Sequence, residues 1–363
     1  MGFLVEPVSY PRRIEYLRHH YDPAKYHPKE TEFIAQPGHQ GKLWDSLGVT
    51  QVGMPEIRKL AAGIHPLTGK GLTARTNGRS SVMQHRTAYL SIVLNVPKSI
   101  SIMAELGGDR RLRECVREMA RETLEHAEEF YAGFRVRKLD APDRNHPRHT
   151  GQMAWLTRLE NDSRYADPHL HVHAEVFNVT HDPSDPGRPF KALDMRPFLA
   201  GQILLRRHFD RQLVQAITGL GYLTHATATS PFEIDGIPQA LIDLFSKGRS
   251  AAAGARQAVQ LDNPDQPSHR VLRKMMRQRR PKKTLRTQAQ LRAHWLAQVS
   301  SRDLILLVAV KAAAARQANT AALVRSRDLA HSEPSVRQSP PNRDFPNSPE
   351  LDPSDFFVVP SPE

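Results

Sequence analysis

The sequence predicts an α+β fold in which a central antiparallel sheet is flanked by helices and followed by a disordered C-terminal tail. Three observations carry this expectation. From Asp167 to Asn178 the apolar residues Leu170, Val172, Ala174 and Val176 alternate with polar ones, the period of a half-buried strand. A second strand pattern, Gln152 to Leu159, stands just before it, and so short a connection pairs two strands antiparallel. Stretches with helical spacing, at 109–131 and 197–218, supply the flanking layer, and residues 331–363 lose all such patterning.

Taken in order, the N-terminal segment places Tyr16, Tyr21 and Tyr26 among basic residues. A phenol serves either as rim packing or as a nucleophile toward phosphorus, with neighbouring cations easing its ionisation. A Gly-rich basic loop, Leu67 to Asn77, carries Arg75 as a candidate phosphate contact but lacks the spacing of a nucleotide-binding phosphate loop. Ser91 to Val96 reads as a buried strand and Pro97-Lys98-Ser99-Ile100-Ser101 as a helix start, where Lys98 beside free backbone amides suits a phosphate. In the helix 109–131, Leu112, Cys115, Val116, Met119, Thr123, Ala127 and Phe130 form the apolar face, and the arginines opposite read as a solvated surface. Glu160 follows the strand 152–159 and stands just off its end, beside the next strand. In the helix 197–218, Leu199, Ile203, Leu204, Phe209, Leu213 and Ile217 point inward.

Residues 270–292 hold the densest basic run, with Arg273, Lys274, Arg277, Arg279, Arg280, Lys282 and Lys283 as candidate nucleic-acid backbone contacts. Residues 301–330 read as an Ala-rich helical extension of a first domain, 1–300, and 331–363 as a Pro-rich acidic tail.

The histidine strand carries the chemistry. His169, His171, His173 and Glu175 share one face, and imidazole is the commonest metal ligand. Side chains two residues apart sit about 7 Å apart at the backbone and can converge on one ion, whereas His169 and His173 cannot easily share it. One neighbouring pair therefore binds, and Glu160 on the adjacent strand is the natural third ligand.

Charge points to the partner. The chain has 363 residues and a net charge of +13, while residues 331–363 carry six acids and two arginines, so the excess sits in the rest of the chain. That balance predicts a polyanion, nucleic acid before membrane. The longest apolar run, Leu304 to Val310, is too short to span a bilayer, and the N-terminus lacks a signal-type apolar segment. The single cysteine, Cys115, excludes an intramolecular disulfide, so a cytoplasmic protein is expected.

Taken together, the early tyrosines, the strand entering Pro97-Lys98-Ser99, the amphipathic helix and Asp167-Pro168-His169-Leu170-His171-Val172-His173 followed by Asn178 are similar to the relaxase domain of conjugative relaxases of the TraI/TrwC (MobF) type. The segments Gln40 to Gly48 and Leu285 to Trp295 match as well, so the resemblance covers residues 10–300. It implies a histidine-hydrophobe-histidine endonuclease that binds single-stranded DNA at an origin of transfer and nicks one strand through a 5′ phosphotyrosine. Accessory transfer proteins are further partners it implies. It places His171 and His173 on the paired ligands of a divalent ion (Mg²⁺, Mn²⁺ or Zn²⁺) and Tyr16, Tyr21 or Tyr26 in the nucleophile region. Two positions depart from the family pattern. Glu160 replaces a third histidine, which shifts metal preference toward harder ions. Ser91 replaces an aspartate, and a serine cannot act as a base at neutral pH. Nicking is therefore expected to be slowed or lost with DNA binding kept, and a metal-dependent hydrolase of small phosphoesters is the reading outside the family. No helicase module is expected, since no phosphate loop appears.

Overall fold

A computed structural model describes residues 4–9, 33–34, 40–73, 87–136, 147–228, 230–262 and 286–331. The strands are β1 (Leu4–Ser9), β2 (Phe33–Ile34), β3 (Thr87–Asn95), β4 (Gly133–Arg135), β5 (Pro147–His149), β6 (Trp155–Asp162), β7 (Pro168–Phe177), β8 (Thr180–His181), β9 (Phe190–Lys191), β10 (Thr224–His225) and β11 (Glu233–Ile234). The helices are α1 (Leu43–Ser46), α2 (Met54–Ala61), α3 (Lys98–Glu105), α4 (Arg110–Tyr131), α5 (Arg196–Ala200), α6 (Gln202–Gly219), α7 (Gln239–Leu244), α8 (Lys247–Asp262), α9 (Gln288–Leu296) and α10 (Ser301–His331). The chain divides into two compact units, 1–319 and 320–363. In the second, residues 320–331 are helical.

The central sheet is antiparallel, as the sequence predicts, and has five strands in the order β1-β3-β7-β6-β2. The histidine strand lies at its centre because its inward set, Leu170, Val172, Ala174 and Val176, is fully buried with Leu90, Ile92 and Leu94 of β3. Strand pairing and this core fix the register, since a slip of one residue would turn every side chain to the other face. Helices α3, α4 and α6 contribute Ile100, Met103, Leu112, Val116, Phe209 and Leu213 to the same core. The other face has a smaller core at one end, where Trp44, Leu47, Tyr89, Leu156 and Phe177 pack together. The histidines occupy the opposite end of that face.

Two close approaches tie loops to the sheet. Gly41 has φ +102°, and a Cβ there would fall 2.0 Å from the carbonyl oxygen of Met153, so only glycine lets the segment before α1 lie against β6. Glu128 of α4, 2% exposed, accepts backbone N–H bonds from Lys42 and Met153, both 2.8 Å, and holds this approach from inside. At the β6–β7 turn Ala166 has φ 56°, and Trp295 of α9 donates from Nε1 to its carbonyl at 2.6 Å.

Several details differ from the sequence reading. Gly201 interrupts the expected helix 197–218 and resets its phase, so Leu205, Phe209, Leu213 and Ile217 form the buried ridge while Ile203 and Leu204 are exposed. Phe130 is exposed beyond the last buried turn of α4, where Glu128 is the inward residue instead. The arginine face of α4 is partly engaged: Arg113 forks onto the buried Glu105 with bonds of 2.9 and 2.6 Å. Cys115 is half-buried against the core, and burial pushes its thiol up to about 12.

Candidate metal centre on the histidine strand

Glu160 lies within β6 rather than beyond its end, and the β6–β7 register sets it directly opposite His171. Its carboxylate reaches both imidazoles: Oε2 is 3.6 Å from Nε2 of His171 and Oε1 is 3.7 Å from Nε2 of His173. These distances are too long for hydrogen bonds. They are close to the roughly 3.4 Å between adjacent donors around an ion with bonds of about 2.1 Å. All three donor atoms lie within 4.8 Å of one another, the set that could hold a metal among the described residues. The residues therefore fit a divalent ion: two imidazoles and one carboxylate.

The ring orientations are fixed by neighbours. Nδ1 of His171 donates to the carbonyl of His169 at 2.8 Å, which leaves the unprotonated Nε2 as its ligand atom on the side of Glu160. His169 stacks on His171 with ring centroids 4.7 Å apart, and its Nε2 meets Oδ1 of Asn95 at 3.1 Å. Burial holds the His169 imidazole well below the usual histidine range, so it stays neutral beside the pair. His169 thus supports the site and is not part of the donor set.

Three contributors are less plain in the sequence. Arg158, 3% exposed and opposite His173, pairs its guanidinium with Oε1 of Glu160. Asn95 caps the histidine stack. Glu175, fully buried, receives a hydrogen bond from Oγ of Ser91 at 3.4 Å, so a carboxylate stands one strand away from the serine. Each sits at a polar position of correct parity on its strand, and that is the signal by which they can be found.

Lys98 is corrected. Its side chain is buried and Nζ donates to the carbonyl of Pro168 at 2.7 Å, fastening the start of β7 instead of meeting a phosphate. Burial is the main reason its amine is pulled down to about 8, with Arg249 adding to the effect and Asp167 and Glu233 opposing it. Asp167 in turn accepts the backbone N–H of Lys247 at 3.1 Å and so anchors the start of α8. Tyr16, Tyr21, Tyr26, Arg75, Arg273, Lys274, Arg277, Arg279, Arg280, Lys282 and Lys283 lie outside the described residues. The helix that follows the basic run is described: Gln288 of α9 bonds Glu105 at 3.1 Å and Asn161 at 2.6 Å, beside Glu160.

A cavity of about 520 Å³ opens on the opposite face, beside Trp155. Glu122, Glu125 and Glu129 line it together with Lys42, His126 and His208, so it offers no basic surface for a polyanion.

The TrwC relaxase family profile matches residues 12–302. The chain belongs to the TrwC relaxase family. The multifunctional conjugation protein TraI of Escherichia coli is 25% identical over 265 residues, which are 67% of this chain and 14% of TraI, so the chain spans only a small part of that relative. Among solved structures, the conjugative relaxase TrwC in complex with oriT DNA, metal-free, superimposes with a TM-score of 0.68 at 23% identity, over 84% of this chain and 99% of that one. The metal-bound structure of the same complex gives 0.67 at 24% identity, over 82% and 97%. The central antiparallel sheet with flanking helices is thus the relaxase fold. No helix among the described residues is long and apolar enough to cross a membrane.

Proposed function

We propose that this relaxase domain nicks and rejoins single-stranded DNA at an origin of transfer, using a divalent ion on Glu160, His171 and His173 and a tyrosine among Tyr16, Tyr21 and Tyr26. The observation that carries the reading is the convergence of those three donor atoms at one end of the histidine face of the sheet, in a chain of relaxase family and basic charge. TrwC is solved with oriT DNA in both metal-free and metal-bound form, which supports the same ligand and cofactor here.

A divalent ion held there polarises the scissile phosphate and balances charge that grows on its oxygens. The chain supplies the remainder. His171 is held in one tautomer by the His169 carbonyl. The tyrosine oxygen forms a bond to phosphorus as the bond from phosphorus to the 3′ oxygen breaks, leaving a 5′ phosphotyrosine and a free 3′ hydroxyl. Attack by a 3′ hydroxyl reverses the step and rejoins the strand. The basic run with Arg273, Lys274, Arg277, Arg279, Arg280, Lys282 and Lys283, together with Arg75, supplies backbone contacts, and α9 fastens the end of that run beside Asn161. Accessory transfer proteins bind the same assembly.

Ser91 favours a second reading, a domain that binds DNA and cuts it slowly, because no carboxylate occupies that position of β3. One experiment separates the two. Purified protein is incubated with a single-stranded oligonucleotide from flanking DNA and Mn²⁺ or Mg²⁺, and a denaturation-resistant adduct is sought and mapped by peptide analysis. An adduct on one of the three tyrosines supports nicking; unchanged binding with no product supports the second reading. Oligonucleotide affinity that barely changes with salt counts against both and favours a hydrolase of small phosphoesters.

A further inference from the structure

The candidate metal site contains a cation of its own. Arg158 and Glu160 are two residues apart on β6, so both project from the histidine face. The guanidinium pairs with Oε1 of Glu160, the oxygen that also faces Nε2 of His173. It is 3% exposed, so solvent does little to screen it. Glu160 is the one acid of the donor set, and Arg158 cancels its charge. An ion settling among Glu160, His171 and His173 therefore meets a fixed positive charge at close quarters.

We infer that Arg158 is a competing cation, which weakens the intrinsic metal affinity of the site and couples metal binding to the arrival of a phosphodiester. The inference rests on the nuclease reading given above. A guanidinium binds phosphate in the same two-pronged geometry as carboxylate, so a backbone phosphate at the site takes over Arg158 while Glu160 turns to the ion. The ion pair is exchanged rather than lost. By linkage, DNA strengthens metal binding by the factor by which metal strengthens DNA binding. A merely structural pair predicts the opposite sign: Arg158 would orient Glu160 as a ligand, and its removal would weaken metal binding by about 10–100-fold, as the loss of outer-shell partners does.

The test is calorimetric titration of Mn²⁺ into the full chain, as wild type, Arg158→Met and Arg158→Gln, with and without a short single-stranded oligonucleotide. Without DNA both variants are expected to bind Mn²⁺ at least about tenfold more tightly than wild type. DNA is expected to tighten Mn²⁺ binding more in wild type than in either variant. Equal or weaker binding by the variants overturns the inference and leaves the nuclease reading standing. No Mn²⁺ binding by any of the three proteins overturns the metal site itself. If thermal melting shows the variants unfolded, wild type decides: the Arg158 Nε–H resonance shifts on addition of Mg²⁺ with oligonucleotide, and an unmoved resonance overturns the inference.

Discussion

Replacing Lys98 by Met tests whether this lysine holds the histidine strand or touches DNA. Its buried amine donates to the Pro168 carbonyl at 2.7 Å, and burial lowers it from the ordinary 10.5 to about 8. The sign follows directly. Between those two values the unfolded chain keeps a proton that the folded chain has released, so stability rises with pH across that window and is lost as pH falls through about 8. The gap is worth about 3 kcal/mol. Methionine keeps most of the stem's volume, removes the titration and leaves the buried carbonyl without this donor, at about 1–3 kcal/mol. At pH 7.5 the variant is therefore equal to wild type or more stable by up to about 2 kcal/mol. At pH 10.5 wild type is the more stable by about 1–3 kcal/mol, because there the amine no longer carries a penalty. Urea unfolding of both proteins at pH 7.5, 9 and 10.5 reads this difference. Salt titration of oligonucleotide binding reads the other half: the slope stays the same in Lys98→Met, whereas a lost phosphate contact would reduce it by about 0.7. A stability difference that does not change with pH, together with a shallower salt slope, would refute the structural role.

His171→Ala and His173→Ala are each expected to abolish calorimetric Mn²⁺ binding and the covalent adduct while leaving oligonucleotide affinity, measured without divalent metal, within about twofold, since backbone contacts dominate that affinity; an adduct formed equally well by both variants sinks the metal assignment. Glu128→Ala leaves the amides of Lys42 and Met153 without their acceptor and is expected to cost about 2–5 kcal/mol in urea unfolding. Glu128→Gln keeps one accepting oxygen and behaves differently with pH. Burial, against the pull of the two amides, raises the Glu128 carboxyl above its usual range, so the fold favours its protonated form and loses that contribution as pH rises through the raised value. The glutamine variant should therefore improve relative to wild type as pH rises from 4 to 7, and a stability difference that stays constant or shifts toward wild type over that range contradicts this. Gly41→Ala, with φ +102° and a Cβ 2.0 Å from the Met153 oxygen, is expected to lower the melting temperature by several degrees; an unchanged transition refutes the close approach.

The sheet, its histidine strand and the Glu160 contact were legible because they depend on alternation and on one short connection, both local properties of the sequence. Lys98 was misleading for the opposite reason: a lysine in the first turn of a helix looks solvated, and only the packing of α3 against β7 buries it. Ile203 and Leu204 read as inward because Gly201 shifts the helical phase in a way that composition does not announce. The three tyrosines and the basic run lie outside the described residues and stay as read from the sequence.

What alternation could not supply is which polar groups on the face meet one another. Arg158, Glu160, His171, His173 and Glu175 all have the right parity, yet their pairings come from the cross-strand register: Arg158 opposite His173, Glu160 opposite His171, Ser91 opposite Glu175. The β6–β7 part of that register is reinforced at the turn, where the N–H of Ser163 donates to the carbonyl of Asp167, Ala166 takes a positive φ and Trp295 donates to the Ala166 carbonyl. A slip of one residue there would leave every histidine in place along its strand and turn all of them away from Glu160. The turn at Ala166, and the helix α9 that holds it, therefore determine whether two imidazoles and a carboxylate form a metal centre or remain three polar residues on a sheet.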